Sequence, residues 1–313
     1  MQSKAPIVVV LGTGGTIAGI AATPTDHVDY KAAQLGVAYL VAALAATAGV
    51  VVETEQVAQF DSKDMDFATW RRLAQRLEHY ASRPEVVGIV VTHGTDTLEE
   101  TAYFLARVVA VAKPVVLTGA MRPATSSEAD GPRNLADAIA VATQGEAGVV
   151  VAFAGWVHAA RDVRKIHPYR LDAFASGDAG PLARIEKGRM RALRGWPTQD
   201  TVGIGALPAD ASAWPRVEIV TSTAGANGRI VKVLADAGVQ GIVVAATGNG
   251  TVHAALELAL VEAMQRGIAV LRSTRCLEGG IVGDAADATP SAGDLTPVQA
   301  RIELMLRLLP PGA

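Results

Sequence analysis

Two threonine-bearing segments hold the chemistry this chain can do: Gly12-Thr13-Gly14-Gly15-Thr16-Ile17-Ala18-Gly19 and Thr92-His93-Gly94-Thr95-Asp96-Thr97. Each follows an apolar run of strand character and leads into a turn or helix. In a parallel α/β sheet the carboxyl ends of the strands form the ligand crevice. Two hydroxyl-bearing loops aimed at one crevice suit nucleophilic attack on a small polar substrate. A threonine hydroxyl is a poor nucleophile at neutral pH and needs a base in hydrogen-bond reach, itself oriented by a third group. A lysine can serve where burial and neighbouring charge lower its pKa. Lys165, in Arg161-Asp162-Val163-Arg164-Lys165, follows the apolar run 148–153, where a crevice residue belongs.

Each of these residues also has a plainer reading. Asp96 or Thr97 could cap the next helix, with Glu99 or Glu100 completing a capping box. Lys165 could be a solvated loop charge. His93, with no Cys or second His at metal spacing, reads as a structural hydrogen-bonder, so no metal is expected. The glycine loop is not a nucleotide site: the third glycine of a dinucleotide fingerprint falls at Ile17, and no Gly-Lys-Ser/Thr follows. What remains is a tight turn that presents Thr13 and Thr16 beside unhindered backbone N–H groups, suited to a carboxylate or an oxyanion.

The elements that must hold these segments alternate between strand and helix. Strands are expected at 7–11, 50–57, 86–92, 114–117 and 148–153, and helices at 31–47, 67–82 (capped by Asp66), 98–111 and 132–143. Short apolar runs between longer helices imply βαβ units and a mostly parallel sheet. The pattern loosens over 161–180 and again over 187–215. It resumes with strands at 217–221, 241–246 and 268–272 and helices at 227–237, 252–266 and 297–309, around a Gly/Ala/Asp loop at 279–293. The expected division is a catalytic α/β domain over 1–190, a linker over 191–213 and a smaller α/β domain over 214–313.

Composition narrows the class. The chain has 313 residues, half of them hydrophobic, which supports a large buried core. A formal charge of -3 without long runs of one sign excludes a nucleic-acid or anionic-membrane surface. No segment offers the ~20 apolar residues of a membrane span. The one cysteine, Cys276, needs no oxidising compartment and is expected as a small buried residue. The expected setting is cytoplasmic, with a periplasmic one as the alternative.

These residues together resemble the bacterial-type L-asparaginase family, including its glutaminase-asparaginases, over nearly the whole chain. Gly14-Gly15-Thr16-Ile17-Ala18-Gly19 looks like the first threonine motif of that family and His93-Gly94-Thr95-Asp96-Thr97-Leu98-Glu99-Glu100-Thr101-Ala102 like the second. Gly119-Ala120-Met121-Arg122-Pro123, Asp130-Gly131-Pro132-Arg133-Asn134-Leu135 and the Arg161–Lys165 segment match further blocks.

The resemblance implies a flavodoxin-like N-terminal domain, a small α/β C-terminal domain, and hydrolysis of L-asparagine to L-aspartate and ammonia without a cofactor. By the same resemblance, Thr16 attacks the amide carbon and forms an acyl-enzyme, and Tyr30 helps accept its proton. Thr95, Lys165 and Asp96 form a second hydrogen-bonded group. The backbone N–H groups of Gly15 and Thr95 make the oxyanion hole, each worth ~3 kcal/mol of barrier. The Ala120 carbonyl holds the amide nitrogen, Ser62 the α-carboxylate and Asp96 the α-ammonium. It implies a homotetramer or homodimer with intersubunit active sites, in which a neighbouring subunit supplies an acid; Glu278 and Asp284 are the candidates here.

One departure bears on substrate preference: the family's Ser-Gln pair is Ser62-Lys63 in this chain. A lysine there repels an α-ammonium but can pair with an α-carboxylate. Glutaminase activity of mixed specificity is therefore the nearest alternative. A non-catalytic small-ligand-binding α/β module is the alternative of another class, and a subunit of a tRNA-dependent amidotransferase a third.

Overall fold

The computed structural model describes residues 5–42, 44, 50–198, 200–283 and 289–310. The chain divides into two compact units, Met1–Ile204 and Gly205–Ala313.

In the first unit the elements run β1 (Ile7–Gly14), β2 (Ile20–Ala21), β3 (Tyr30–Lys31), α1 (Val37–Ala42), β4 (Val51–Phe60), α2 (Phe67–Ala81), β5 (Val86–Thr92) and α3 (Leu98–Val108). They continue with β6 (Pro114–Thr118), α4 (Gly131–Gln144), β7 (Gly148–Phe153), β8 (Trp156–Ala159), β9 (Arg164–Lys165), β10 (Phe174–Ala175), β11 (Ala183–Glu186) and β12 (Arg189–Ala192).

Among the described residues the main sheet has eight strands in the order β12-β11-β8-β7-β6-β5-β1-β4. From β7 to β4 every pairing is parallel. Strands β8, β11 and β12 extend it by antiparallel pairing. The central strands are buried on both faces, as the continuous runs Val8-Val9-Val10-Leu11 and Ile89-Val90-Val91 require. One face, with Val8, Val10, Val90, Val116 and Val150, packs on Leu135, Ala138 and Ile139 of α4. Helices α2 and α3 pack on the sheet as well, α2 at β4 and β5 and α3 at β6 and β7. Chain order reverses between β1 and its neighbours, with β4 on one side and β5 on the other. The crevice of an open α/β sheet lies at such a switch point, outside the carboxyl ends of the strands.

The second unit is a three-stranded parallel sheet, β13 (Val217–Thr221), β14 (Gly241–Ala246) and β15 (Ala269–Thr274), with α5 (Arg229–Asp236), α6 (Ala254–Gln265) and α7 (Pro297–Arg307). Its core joins Val220, Ile242, Val244 and Val270 to Val231 of α5 and to Leu256 and Leu260 of α6. Thr296 and Gln299 form a reciprocal capping box that opens α7.

Three expectations need correction. The helix expected over 31–47 is one short helix, Val37–Ala42, preceded by the two-residue strand Tyr30–Lys31 and a turn at 32–33. The Ala-rich stretch before it spends its backbone donors elsewhere: Ala33 donates to the Gly15 carbonyl, and Gln34 and Leu35 both donate to that of Ala18. Tertiary hydrogen bonds therefore override helix propensity, a weak preference of tenths of a kcal/mol per residue. Residues 43 and 45–47 of that expected helix lie outside the described residues. Residues 187–192, expected as irregular, complete a hairpin whose turn is Lys187-Gly188. Both turn residues have positive φ, 51° and 72°, as the twist-matched two-residue turn demands. Cys276 is exposed rather than buried. It lies just beyond β15, beside Leu277, which is itself 62% exposed, so no core surrounds it.

Candidate active site

The two threonine loops leave the ends of β1 and β5, adjacent strands of the sheet. They meet backbone to backbone. Gly15 has φ 80°, and a Cβ added there would run into the Cα and N of Gly94. A Cβ on Gly94 would strike Ser62 in turn, so the loops after β1, β4 and β5 converge on glycine. Thr13 is buried and ties the first loop to the second by donating to the Thr92 carbonyl at 2.9 Å.

Thr16 is buried within a single 3-10 turn, and its Oγ1 lies 2.7 Å from the Tyr30 hydroxyl. Tyr30 comes from β3, which pairs with β2 in a small ribbon beyond the first motif. Burial pushes the Tyr30 phenol above its ordinary pKa, partly offset by the hydrogen bond from Thr16. At neutral pH it is therefore a neutral hydroxyl.

Lys165 stands on the two-residue strand β9, which β10 pairs in register Phe174↔Lys165. Its Nζ donates to Thr95 Oγ1 at 3.0 Å and to Asp96 Oδ1 at 2.7 Å. The ammonium is mostly sheltered and Thr95 is buried, while the Asp96 side chain is half exposed. Asp96 is thus a charge partner of Lys165, and the capping reading for it does not hold. Thr97 occupies the N-cap position of α3 without a side-chain cap bond; its hydroxyl donates to the Ser62 carbonyl at 2.8 Å.

Ser62 is buried in the short turn after β4, and its Oγ accepts the Asp96 backbone N–H at 3.2 Å. Lys63 next to it is turned outward and pairs with Asp64 at 2.5 Å, a contact that raises its pKa. Ala120 lies fully buried after β6. Its turn is shaped from α4: Asp130 accepts the backbone N–H groups of Met121 and Arg122, and Asn134 donates to the Gly119 carbonyl. Burial raises the Asp130 pKa, with those backbone bonds pulling the other way.

Two residues carry contacts that the sequence does not show. The Gly15 N–H, one of the two expected oxyanion donors, donates to the Phe60 carbonyl at 3.0 Å in this structure. His93 is wholly buried, and burial lowers its pKa to about 4. Its Nδ1 faces the Gly94 carbonyl, a pure acceptor, so Nδ1 carries the proton and Nε2 accepts from Thr101. Trp70 completes the chain by donating to Thr101 Oγ1 at 2.9 Å. The supporting residues Asp130, Asn134, Thr101 and Trp70 carried no functional signal in the sequence beyond the motif blocks around three of them. Of the two candidate acids, Glu278 lies in the second unit and Asp284 outside the described residues.

Fold and site together define an α/β enzyme whose working loops lie at the strand carboxyl ends. Comparison with known proteins gives the family. Residues 7–197 match the family model "Asparaginase, N-terminal" and residues 216–309 match "Glutaminase/Asparaginase C-terminal domain". The chain is 37% identical to L-asparaginase 2 of Escherichia coli strain K12, covering 97% of this chain and 89% of that one. It is 36% identical to a glutaminase-asparaginase of Pseudomonas fluorescens biotype A, covering 98% and 87%. The crystal structure of a probable cytoplasmic L-asparaginase from Campylobacter jejuni superimposes with a TM-score of 0.90 at 35% identity, covering 97% and 95%. The chain belongs to the asparaginase family and is an amidohydrolase.

Proposed function

We propose that this chain hydrolyses L-asparagine to L-aspartate and ammonia through an acyl-enzyme on Thr16. The observation that carries the reading is the pairing of two wired hydroxyls on touching loops: Thr16 against Tyr30, and Thr95 against Lys165 and Asp96. Thr16 Oγ1 attacks the side-chain amide carbon. Its proton passes to the Tyr30 hydroxyl, which acts as a neutral relay because its pKa is raised. The developing oxyanion takes the Thr95 backbone N–H, ammonia departs with the relayed proton, and an ester remains. Water, activated at the Thr95–Lys165 pair, then cleaves the ester and frees Thr16.

In this reading Ser62 binds the α-carboxylate, with Lys63 able to join once it leaves Asp64. Asp96 binds the α-ammonium, and the Ala120 carbonyl holds the leaving nitrogen. Gly15 contributes closeness: without a side chain it lets the two motifs touch. No cofactor enters these steps. We place the enzyme in the cytoplasm as a homotetramer or homodimer with active sites shared between subunits, Glu278 being the candidate acid from a neighbour. Light scattering on the purified chain tests the assembly.

Thr16→Ala is expected to fold as wild type and to lose ammonia release from asparagine by about a thousandfold or more. Turnover at the wild-type rate in that variant would remove Thr16 as nucleophile. The second reading, an enzyme that takes glutamine about equally, draws on the relatives that carry both activities in their names. One methylene discriminates by only ~1–3 kcal/mol in a pocket, so comparing kcat/KM for the two amides decides between them.

A further inference from the structure

The ribbon that carries Lys165 is slight, two short strands of two residues each. The Nζ at its edge must nonetheless keep one position between Thr95 Oγ1 and Asp96 Oδ1. One side chain bridges the ribbon to the helix that the second motif opens. Glu99, in the first turn of α3, accepts the backbone N–H of Lys165 through Oε2 at 2.5 Å, a short bond. It reaches across 66 residues of sequence from three positions beyond Asp96.

We propose that Glu99 is the positioning residue of the catalytic lysine: its carboxylate fixes the β9 backbone against the start of α3 and so holds the Lys165 amine on Thr95. This inference rests on the reading of Lys165 as part of the catalytic group. The energetics support it. Burial pushes the Glu99 pKa up to about 7, with Glu100 of the same helix adding to the rise, while the Lys165 N–H bond and the charges of Arg164 and Lys165 oppose it. A largely buried carboxylate costs stability. Helix capping does not account for it, because α3 has no side-chain cap bond and Glu99 bonds the backbone of strand β9 rather than its own helix.

The test compares E99Q and E99L with wild type and with K165M, all as the full chain. Glutamine keeps an acceptor oxygen at the same reach; leucine keeps the volume and removes the acceptor. E99Q is expected to retain most of kcat. E99L is expected to lose about 100-fold in kcat with little change in KM, the effect of letting a catalytic group drift by about an ångström. Should E99L fail to fold, the smaller E99A replaces it with the same expectation. Wild-type kcat in the variant lacking the acceptor would overturn the proposal, and so would equal loss in E99Q and E99L, or a loss confined to KM. The control separates the two levels of the argument. Wild-type turnover in K165M sinks the catalytic reading of Lys165 itself, whereas a dead K165M beside an active E99L sinks only the role of Glu99.

Discussion

At the scale of single residues, this site depends as much on missing side chains as on reactive ones. Gly15 and Gly94 let the two motifs meet at the backbone, and Gly15 does so at a φ of 80° that other residues rarely adopt. A methyl group at position 15 would add backbone strain and press against the second motif. Gly15→Ala is therefore expected to lower stability by several kcal/mol and to cut asparagine turnover sharply, read by thermal melting and ammonia release. A variant with unchanged melting and activity would mean that the loops separate without cost. The candidate residues Thr16, Thr95, Asp96 and Lys165 could be picked out in the sequence because they stand in long, distinctive segments. The fate of the Gly15 N–H could not. Its partner, the Phe60 carbonyl, is remote in the chain and has no signature of its own.

At the scale of elements, helices and strands act here as clamps on the loops between them. Asp130 at the start of α4 grips the Met121–Arg122 backbone and accepts from Asn134. Asp130→Ala would leave these donors buried and unpaired, at ~1–3 kcal/mol each. The expected result is a loss of several kcal/mol in denaturant unfolding together with a fall in kcat/KM for asparagine.

The long elements were readable because their periodicity is carried by residues that face a core: α2 with Trp70, Leu73 and Leu77, and the Val-rich strands β5, β6 and β7. Pieces whose shape comes from partners far along the chain were not. The stretch before α1 follows Gly15 and Ala18, and the ribbon of β9 and β10 is too short to show an alternation. The hairpin at Lys187-Gly188 hid its turn because lysine is an unusual residue at positive φ.

At the scale of the whole molecule, buried titratable groups set how stability depends on pH. His93 and His158 are both buried, and burial lowers each pKa from 6.5 to about 4. Between those values the unfolded chain binds protons that the folded chain refuses, so stability falls as pH drops from about 6.5 to about 4. Glu99 works in the opposite sense. Its pKa rises from 4.5 to about 7, so the folded chain holds a proton the unfolded chain has lost, and stability falls as pH rises across that window. Each shift is worth about 3 kcal/mol, and two histidines outweigh one glutamate. The melting temperature is therefore expected to fall on acidification below pH 6.5, and to fall less in His158→Gln. E99Q should melt above wild type at pH 8, with the difference closing towards pH 4.5. A melting temperature flat from pH 7 to pH 4 in the wild type would contradict this assignment.

Cys276 is the only sulfhydryl in 313 residues, and it faces solvent. A thiol-directed dye or resin will therefore attach at one defined point without prior engineering. That point belongs to the second unit, whereas the threonines and the lysine belong to the first.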